Sequence, residues 1–167
     1  MHTRKLILVV GLPGSGKTTF ARALSTAISA KHLNSDIVRS NAGRRGHYDT
    51  ASKAATYNEM LNRTEDYLKN NQQVVIDATF YKNIFRQPYQ LLAEKYDAEI
   101  NWIEVKADEE TIKKRVSKKR EYSEADFEVY KKIKEDYEPI TTPHLVLWSD
   151  QLDLEDMVQM ARDFLMP

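Results

Sequence analysis

The sequence contains no cysteine, which excludes disulfide bonds, thiolate zinc sites and thiol catalysis. It also has no net charge, because 25 Lys and Arg residues balance 25 Asp and Glu residues. Such a chain is not expected to coat a long nucleic acid or to act as an acidic solvating tail. The four histidines include no pair at the i, i+4 spacing of a helical metal site.

Long hydrophobic runs are absent as well. The apolar run 6–10 has five residues, fewer than the ~7–15 of a signal-peptide core or the ~20 of a membrane span. The 167 residues, 41% hydrophobic and 30% charged, suit one globular domain. We therefore expect a single domain over residues 1–167 that is soluble, cytoplasmic and free of membrane contact.

Apolar, β-branched runs alternate with segments of helical period. The runs predict five strands, at Lys5–Val10, 32–35, 73–78, 100–105 and Leu145–Trp148. The other segments predict helices at 17–30, 51–69, 88–96 with Pro88 in the first turn, 108–120 capped by Asp108, 123–138 and Leu154–Leu165. This alternation predicts an α/β fold, a three-layer α/β/α sandwich around a parallel sheet.

Residues 11–18, Gly-Leu-Pro-Gly-Ser-Gly-Lys-Thr, match the phosphate-binding pattern G-x-x-x-x-G-K-S/T without a mismatch. A predicted strand precedes the pattern and a predicted helix follows it, as this loop requires. Its glycines let backbone N–H groups face an anion. The loop predicts a bound nucleotide, with Lys17 reaching its β- and γ-phosphates and Thr18 as a natural Mg²⁺ ligand. The expected nucleotide-binding residues are Gly11, Pro13, Gly14, Ser15, Gly16, Lys17, Thr18 and Thr19.

The loop alone does not identify a reaction. The sequence has no Asn-Lys-x-Asp segment, which weighs against a GTPase, and it is short for a motor with sensor subdomains. These two observations favour a compact phosphotransferase.

Three polar residues lie near the carboxyl ends of predicted strands, the edge where ligands bind in parallel sheets. They are Asp36, Arg39 and Asp77. Asp36 is expected to orient an acceptor hydroxyl and take its proton, while Arg39 holds an acceptor anion. A helix-capping Asp followed by a solvated Arg explains the same spacing. Asp77 ends a predicted strand, and it either lies near Mg²⁺, pins Arg39 or is an ordinary turn residue.

Two basic segments are candidates for phosphate contacts. Residues 111–120 carry six positive charges and no acid, which suits a cationic lid over ATP at about 115–125, with Arg115 and Arg120 as its functional residues. The alternative is a solvated helix face. Residues 39–47 contain three arginines, including Arg44 and Arg45, and they either bind acceptor phosphates or form an exposed loop.

Taken together, residues 11–18, Ser35-Asp36-x-x-Arg39, Val75-Ile-Asp77-Ala-Thr79 and the segment led by Arg115 resemble a family of small P-loop kinases. This family includes the kinase domain of phage polynucleotide 5′-kinase and the zeta-toxin-like kinases, and the similarity spans about residues 5–148. The resemblance implies a P-loop nucleoside-triphosphate hydrolase or kinase fold. It also implies that Asp36 is the general base, that Arg39 contacts an acceptor phosphate and that Asp77 supports them. Family lids place an arginine on the donor phosphates, and Arg120 is preferred over Arg115 for that contact.

We therefore expect a P-loop kinase that moves the γ-phosphoryl of ATP to a hydroxyl, with the 5′-OH of a polynucleotide as the leading acceptor. One alternative is a kinase for a small metabolite, nucleoside or antibiotic. Another is an ATP-binding regulatory module without catalysis, against which Asp36 and Arg39 argue because a pure binder needs neither residue.

Overall fold

All five predicted strands are present in one parallel sheet, within one or two residues of their expected bounds. The computed structural model describes residues 3–47, 49–118 and 127–166. The strands are β1 (Lys5–Val10), β2 (Lys31–Asn34), β3 (Val74–Ala78), β4 (Glu99–Lys106) and β5 (Leu145–Trp148). Their order across the sheet is β2-β3-β1-β4-β5, and each neighbouring pair is parallel.

Seven helices are seen in the described part of the chain. They are α1 (Lys17–Ala27), α2 (Ser35–Asn41), α3 (Thr50–Lys69), α4 (Asn83–Lys95), α5 (Glu109–Val116), α6 (Phe127–Asp136) and α7 (Leu154–Leu165). Across the described residues, none of these helices combines the length and the apolar character needed to span a membrane.

The helices cover both faces of the sheet, and the side chains of β1 alternate between them. Leu6, Leu8 and Val10 face one buried cluster, which the apolar residues of α3 and α4 complete. Ile7 and Val9 face the other cluster, which α1 and α7 complete. Burial on both faces explains why the strands are continuously apolar rather than alternating. The three-layer α/β/α prediction is confirmed.

The start of α4 was predicted wrongly. Pro88 lies inside this helix rather than in its first turn, and the helix begins five residues earlier, at Asn83. The buried side chain of Arg86 secures the turn before the proline, because it donates to the carbonyls of Phe80 at 2.6 Å and Glu138 at 2.6 Å. These contacts stabilise a turn that propensity alone does not favour.

The end of α5 also differs from expectation. Asp108 caps α5 as predicted, accepting from Thr111 N at 2.7 Å, but the helix ends at Val116 instead of continuing toward residue 120. The start predicted for α6 at Ser123 lies outside the described residues. The short helix α2 follows β2 directly, and no range was predicted for it from the sequence.

Candidate active site

The phosphate loop joins β1 to α1, and its glycines are required by both space and conformation. A Cβ on Gly11 would lie 2.7 Å from the carbonyl oxygen of Val105, so only glycine lets the loop pass β4. Gly16 has φ +94° and caps α1 in the left-handed region, where a side chain is strained. The first turn of α1 thus begins at Lys17 with its N-terminal end toward the cleft, the arrangement that attracts phosphate.

Thr18, Asn34 and Asp77 form one hydrogen-bonded group at the carboxyl ends of the strands. Thr18 Oγ1 donates to Asp77 Oδ1 at 2.7 Å, and Asn34 Nδ2 reaches the same oxygen at 2.7 Å. His32 Nε2 contacts the other carboxylate oxygen, Oδ2. Register explains the arrangement, since Asn34 pairs with Asp77 across β2 and β3. Asp77 is fully buried, so these contacts stabilise a charge that water does not reach.

The oxygen atoms of this group fit a magnesium ion. Mg²⁺ prefers hydroxyl, carboxylate and water oxygens. Thr18 uses its proton on Asp77 and accepts from Asn34 Nδ2 at 3.0 Å, which leaves one lone pair of its hydroxyl for a cation. Asp77 already accepts hydrogen bonds at both oxygens, which favours a role behind the ion rather than direct ligation.

Asp36 and Arg39 lie on α2 and face the same cleft. Asn34 caps this helix by accepting from Ile37 N at 2.9 Å, so Asp36 is free of the capping role. Arg39 is only 6% exposed and donates through Nη1 to Asp36 Oδ1 at 2.9 Å. The interpretation of this spacing as an Asp cap with a solvated Arg is therefore wrong.

The charge of Asp36 is set by opposing effects. Burial raises the pKa of its carboxyl above the ordinary value, and it outweighs the positive charges of Lys17 and Arg39, which lower the pKa. The negative charge of Asp77 adds to the upward shift. Lys17 and Asp36 line the same cleft, although they are 19 positions apart in the sequence.

One cleft of about 500 Å³ connects these groups. Its loop half is lined by Lys17 and Thr18 together with residues near α7 such as Leu152 and Met157. Its α2 half is lined by Asp36, Arg39, Lys53, Tyr57, Thr79 and Tyr81, with Val129 and Ile133 of α6 beside them. The cleft therefore brings the phosphate loop and the Asp36–Arg39 pair to one space.

Within the described part of the segment 111–120, Arg115 is the residue that reaches this cleft. Its Nη1 donates to the carbonyl of Gly14 at 3.2 Å and to Ser149 Oγ at 2.9 Å. Lys114 instead lies on the surface near Glu110, at 4.0 Å. Arg120 and most of the expected lid, residues 119–125, lie outside the described residues.

The second basic segment does not act as a unit. Arg39 lines the cleft, whereas Arg44 pairs with Glu59 Oε2 of α3 at 3.3 Å and contacts Thr56 Oγ1 at 3.4 Å. Arg44 therefore ties α3 to the loop after α2 rather than facing the cleft.

Several lining or supporting residues were not predicted from the sequence. His32 and Asn34 were recognisable only through the register of β2 against β3. Ser149 and Lys53 come from distant segments and have no motif of their own. Tyr57 lies in the helix predicted at 51–69, and its hydroxyl contacts Thr79 Oγ1 at 3.1 Å in the cleft. Burial raises the pKa of Tyr57 to about 12, so its hydroxyl stays protonated.

Comparison with known proteins places this architecture among kinases. Over 107 residues the chain is 28% identical to the L-seryl-tRNA(Sec) kinase of Methanococcus maripaludis, a match covering 61% of this chain and 41% of that protein. The chain therefore spans less than half the length of this curated relative.

Solved structures share the fold over nearly the whole chain. The APS kinase of Mycobacterium tuberculosis, in complex with AMPPNP and APS, has a TM-score of 0.78 at 15% identity, with all of both chains covered. A sugar kinase from Janibacter sp. HTCC2649 has a TM-score of 0.74 at 17% identity, covering 98% of this chain and 95% of that one. At such identities the likeness shows the P-loop kinase fold.

The sequence also matches a family model described as an AAA domain, AAA_33, over residues 6–140. That stretch contains the phosphate loop, Asp36, Arg39, Asp77 and Arg115. Because the model takes in most of the 167 residues, this chain belongs to the AAA_33 family of AAA domains and has the fold of the P-loop kinases.

Proposed function

We propose that the chain transfers the γ-phosphoryl group of ATP to a hydroxyl of an acceptor bound in the α2 half of the cleft. The observation that carries this proposal is the Asp36–Arg39 pair, joined at 2.9 Å, which lines the same cleft as Lys17 and Thr18. A nucleotide-binding module without catalysis does not need a half-buried carboxylate paired with a buried guanidinium beside its phosphate loop.

On the donor side, the loop N–H groups and Lys17 bind the phosphates, and Arg115 braces the loop at Gly14. The AMPPNP bound to the APS kinase of the same fold supports ATP as the donor. Thr18 would hold Mg²⁺, with Asp77 orienting the Thr18 hydroxyl. When bound, Mg²⁺ supplies positive charge that neutralises the phosphate oxygens.

On the acceptor side, Asp36 orients the hydroxyl and receives its proton as the phosphoryl group transfers. A carboxylate whose pKa is raised by burial is a stronger base than an ordinary one. Arg39 holds that carboxylate in place and contributes positive charge beside the acceptor.

The acceptor we propose is a small hydroxyl compound. The chain shares its fold from end to end with kinases named for APS and for a sugar. A polynucleotide needs a track of available cations along its backbone. Arg44, one candidate for such a track, instead pairs with Glu59 of α3. The seryl-tRNA kinase relative keeps a nucleic-acid acceptor as the second candidate.

The test is transfer from labelled ATP to a panel of sugars, nucleosides, hydroxy acids and 5′-OH oligonucleotides, with Lys17→Met as the inactive control. We expect one class to be labelled by the wild-type chain alone. An acceptor KM that changes little with salt identifies a small acceptor with at most one anionic group, whereas a KM that rises steeply with salt identifies the polynucleotide, which contacts several phosphates at once. ATP turnover without any labelled acceptor would contradict the proposal.

A further inference from the structure

Lys53 is a cation in the α2 half of the cleft that the chemistry described above does not use. It lies in the first turn of α3, and both Lys53 and Tyr81 line the cleft. Lys53 Nζ donates to Tyr81 Oη at 3.0 Å and lies 5.1 Å from the centroid of the same ring. No carboxylate among residues 3–47, 49–118 and 127–166 forms an ion pair with Lys53 within 4.0 Å.

The surroundings hold this ammonium group in one place. Tyr81 is 6% exposed, its ring packs 5.3 Å from Phe85, and its carbonyl accepts from Glu138 N at 2.8 Å. The turn that carries Lys53 is fixed by Asp49, which accepts from Ser52 N at 3.2 Å. A positioned ammonium loses less entropy on binding an anion than a lysine that moves freely in solvent.

The charges that line this half of the cleft do not cancel. Asp36 is the one carboxylate among the described lining residues, and it is already paired with Arg39. Lys53 therefore adds an uncompensated positive charge beside the place where the acceptor hydroxyl must lie.

We propose that Lys53 and Tyr81 form an anion-binding subsite, so that the acceptor carries a phosphate, sulfate or carboxylate group besides its reacting hydroxyl. The claim about the acceptor rests on the proposed function. The anion-binding subsite does not, because Lys53 and Tyr81 would bind an anion whether or not the chain transfers a phosphoryl group. Lys53 and the Tyr81 hydroxyl each offer a hydrogen-bond donor toward the cleft, and the two together select an anion over a neutral group.

Lys82 provides a matched control. Its Nζ lies 5.8 Å from the centroid of the same Tyr81 ring, but Lys82 does not line the cleft. A variant that loses Lys82 removes a cation beside Tyr81 without removing one from the proposed subsite.

The experiment is an NMR titration of the full chain with inorganic phosphate, after the phosphate loop has been filled with Mg²⁺ and AMPPNP. We expect saturable phosphate binding that Lys53→Met weakens by about tenfold or more, the usual size for a lost charge-assisted hydrogen bond. Lys53→Arg keeps the positive charge and should bind within a fewfold of the wild type. Lys82→Met should bind as the wild type does.

Two results would overturn the inference: the loaded wild-type chain does not bind phosphate, or Lys53→Met binds it equally well. Transfer assays on matched pairs, such as glycerol 3-phosphate and glycerol, separate this outcome from failure of the proposed function. If phosphoryl transfer is observed but phosphate does not bind at Lys53, only the inference is refuted. Phosphate binding at Lys53 without transfer to any acceptor refutes only the kinase proposal.

Discussion

Asp36 and Arg39 lie one turn apart on α2, with the Arg39 guanidinium 2.9 Å from the Asp36 carboxylate, and both face the phosphate loop across one cleft. The pair is buried unequally. The side chain of Arg39 is 8% exposed and that of Asp36 is 25% exposed, so the carboxylate is open to the cleft while the guanidinium that holds it is buried. This arrangement suits a base that must meet a hydroxyl and remain fixed during transfer.

Replacing Asp36 with Asn is expected to lower kcat by about 10²–10⁴, the usual contribution of a positioned general base. The amide can still accept from Arg39, so the affinity for AMPPNP should change little. Because the base must be ionised, activity should fall as the pH drops through a pKa above the ordinary Asp value of 3.8. The measurements are kcat against pH and AMPPNP binding by calorimetry.

Asp66→Asn is the matched control, since Asp66 lies exposed on α3, away from the cleft. It should retain wild-type turnover. Wild-type turnover in Asp36→Asn, on an acceptor that the transfer screen has identified, would remove Asp36 from the role of base.

The same substitution is expected to stabilise the fold at neutral pH. Since burial raises the pKa of Asp36, its ionised form is less favourable in the folded than in the unfolded chain, even with Arg39 beside it. The corresponding stability is present at low pH and is lost as the pH rises through the folded-state pKa. Asp36→Asn should therefore raise Tm at pH 7, and the gain should disappear near pH 3, below the ordinary Asp pKa of 3.8.

Differential scanning calorimetry of the wild type, Asp36→Asn and Asp66→Asn at both pH values measures this effect. A lower Tm for Asp36→Asn at neutral pH would show that the ion pair with Arg39 outweighs burial.

The parts of the site that the sequence predicted are those encoded locally. The phosphate loop has a fixed spacing, and β1 and α1 on either side of it have clear periodicity. Asp36 and Arg39 were predicted as a pair because they lie within a single turn. The sequence could not decide whether Asp36 caps a helix or pairs with Arg39 in the cleft. The structure decides it, because Asn34 caps α2 in place of Asp36.

The rest depends on contacts between distant segments. His32 belongs to the site because β2 pairs with β3 in a register that brings it to Asp77, and no local pattern reports that register. The start of α4 was predicted at Pro88, because proline favours the first turn of a helix. The helix instead begins at Asn83, since buried Arg86 stabilises the turn before the proline. Lys53 reaches the cleft only through the packing of α3 beside Tyr81.

His32 is expected to position Asp77 and, through it, the Thr18 hydroxyl. His32→Phe removes the contact to Asp77 Oδ2 and should raise the Mg²⁺ concentration needed for half-maximal AMPPNP binding by about 10–100-fold, as for other groups behind a metal ligand. At saturating Mg²⁺, kcat should recover most of its wild-type value. A variant whose fold is damaged would not recover in this way.

The control for this variant is His144→Phe, because His144 contacts the carbonyl of Thr142, far from Asp77 in sequence and outside the cleft lining. It should leave the Mg²⁺ titration unchanged. An equal Mg²⁺ requirement in His32→Phe and the wild type would show that Thr18 and Asn34 suffice to hold Asp77.

Variants of Arg115 and its neighbour Lys114 test whether a contact to the phosphate loop matters more than an ordinary surface charge. Arg115 fixes the Gly14 carbonyl and Ser149, whereas Lys114 is exposed beside Glu110. Arg115→Met should weaken AMPPNP binding by about tenfold, since it removes charge-assisted hydrogen bonds that hold the loop. Lys114→Met removes the same charge one residue away and should leave binding within twofold, because exposed ion pairs contribute little. Calorimetric titration of both variants at equal ionic strength tests this difference, and equal losses in the two would mean that the segment acts only through its overall charge.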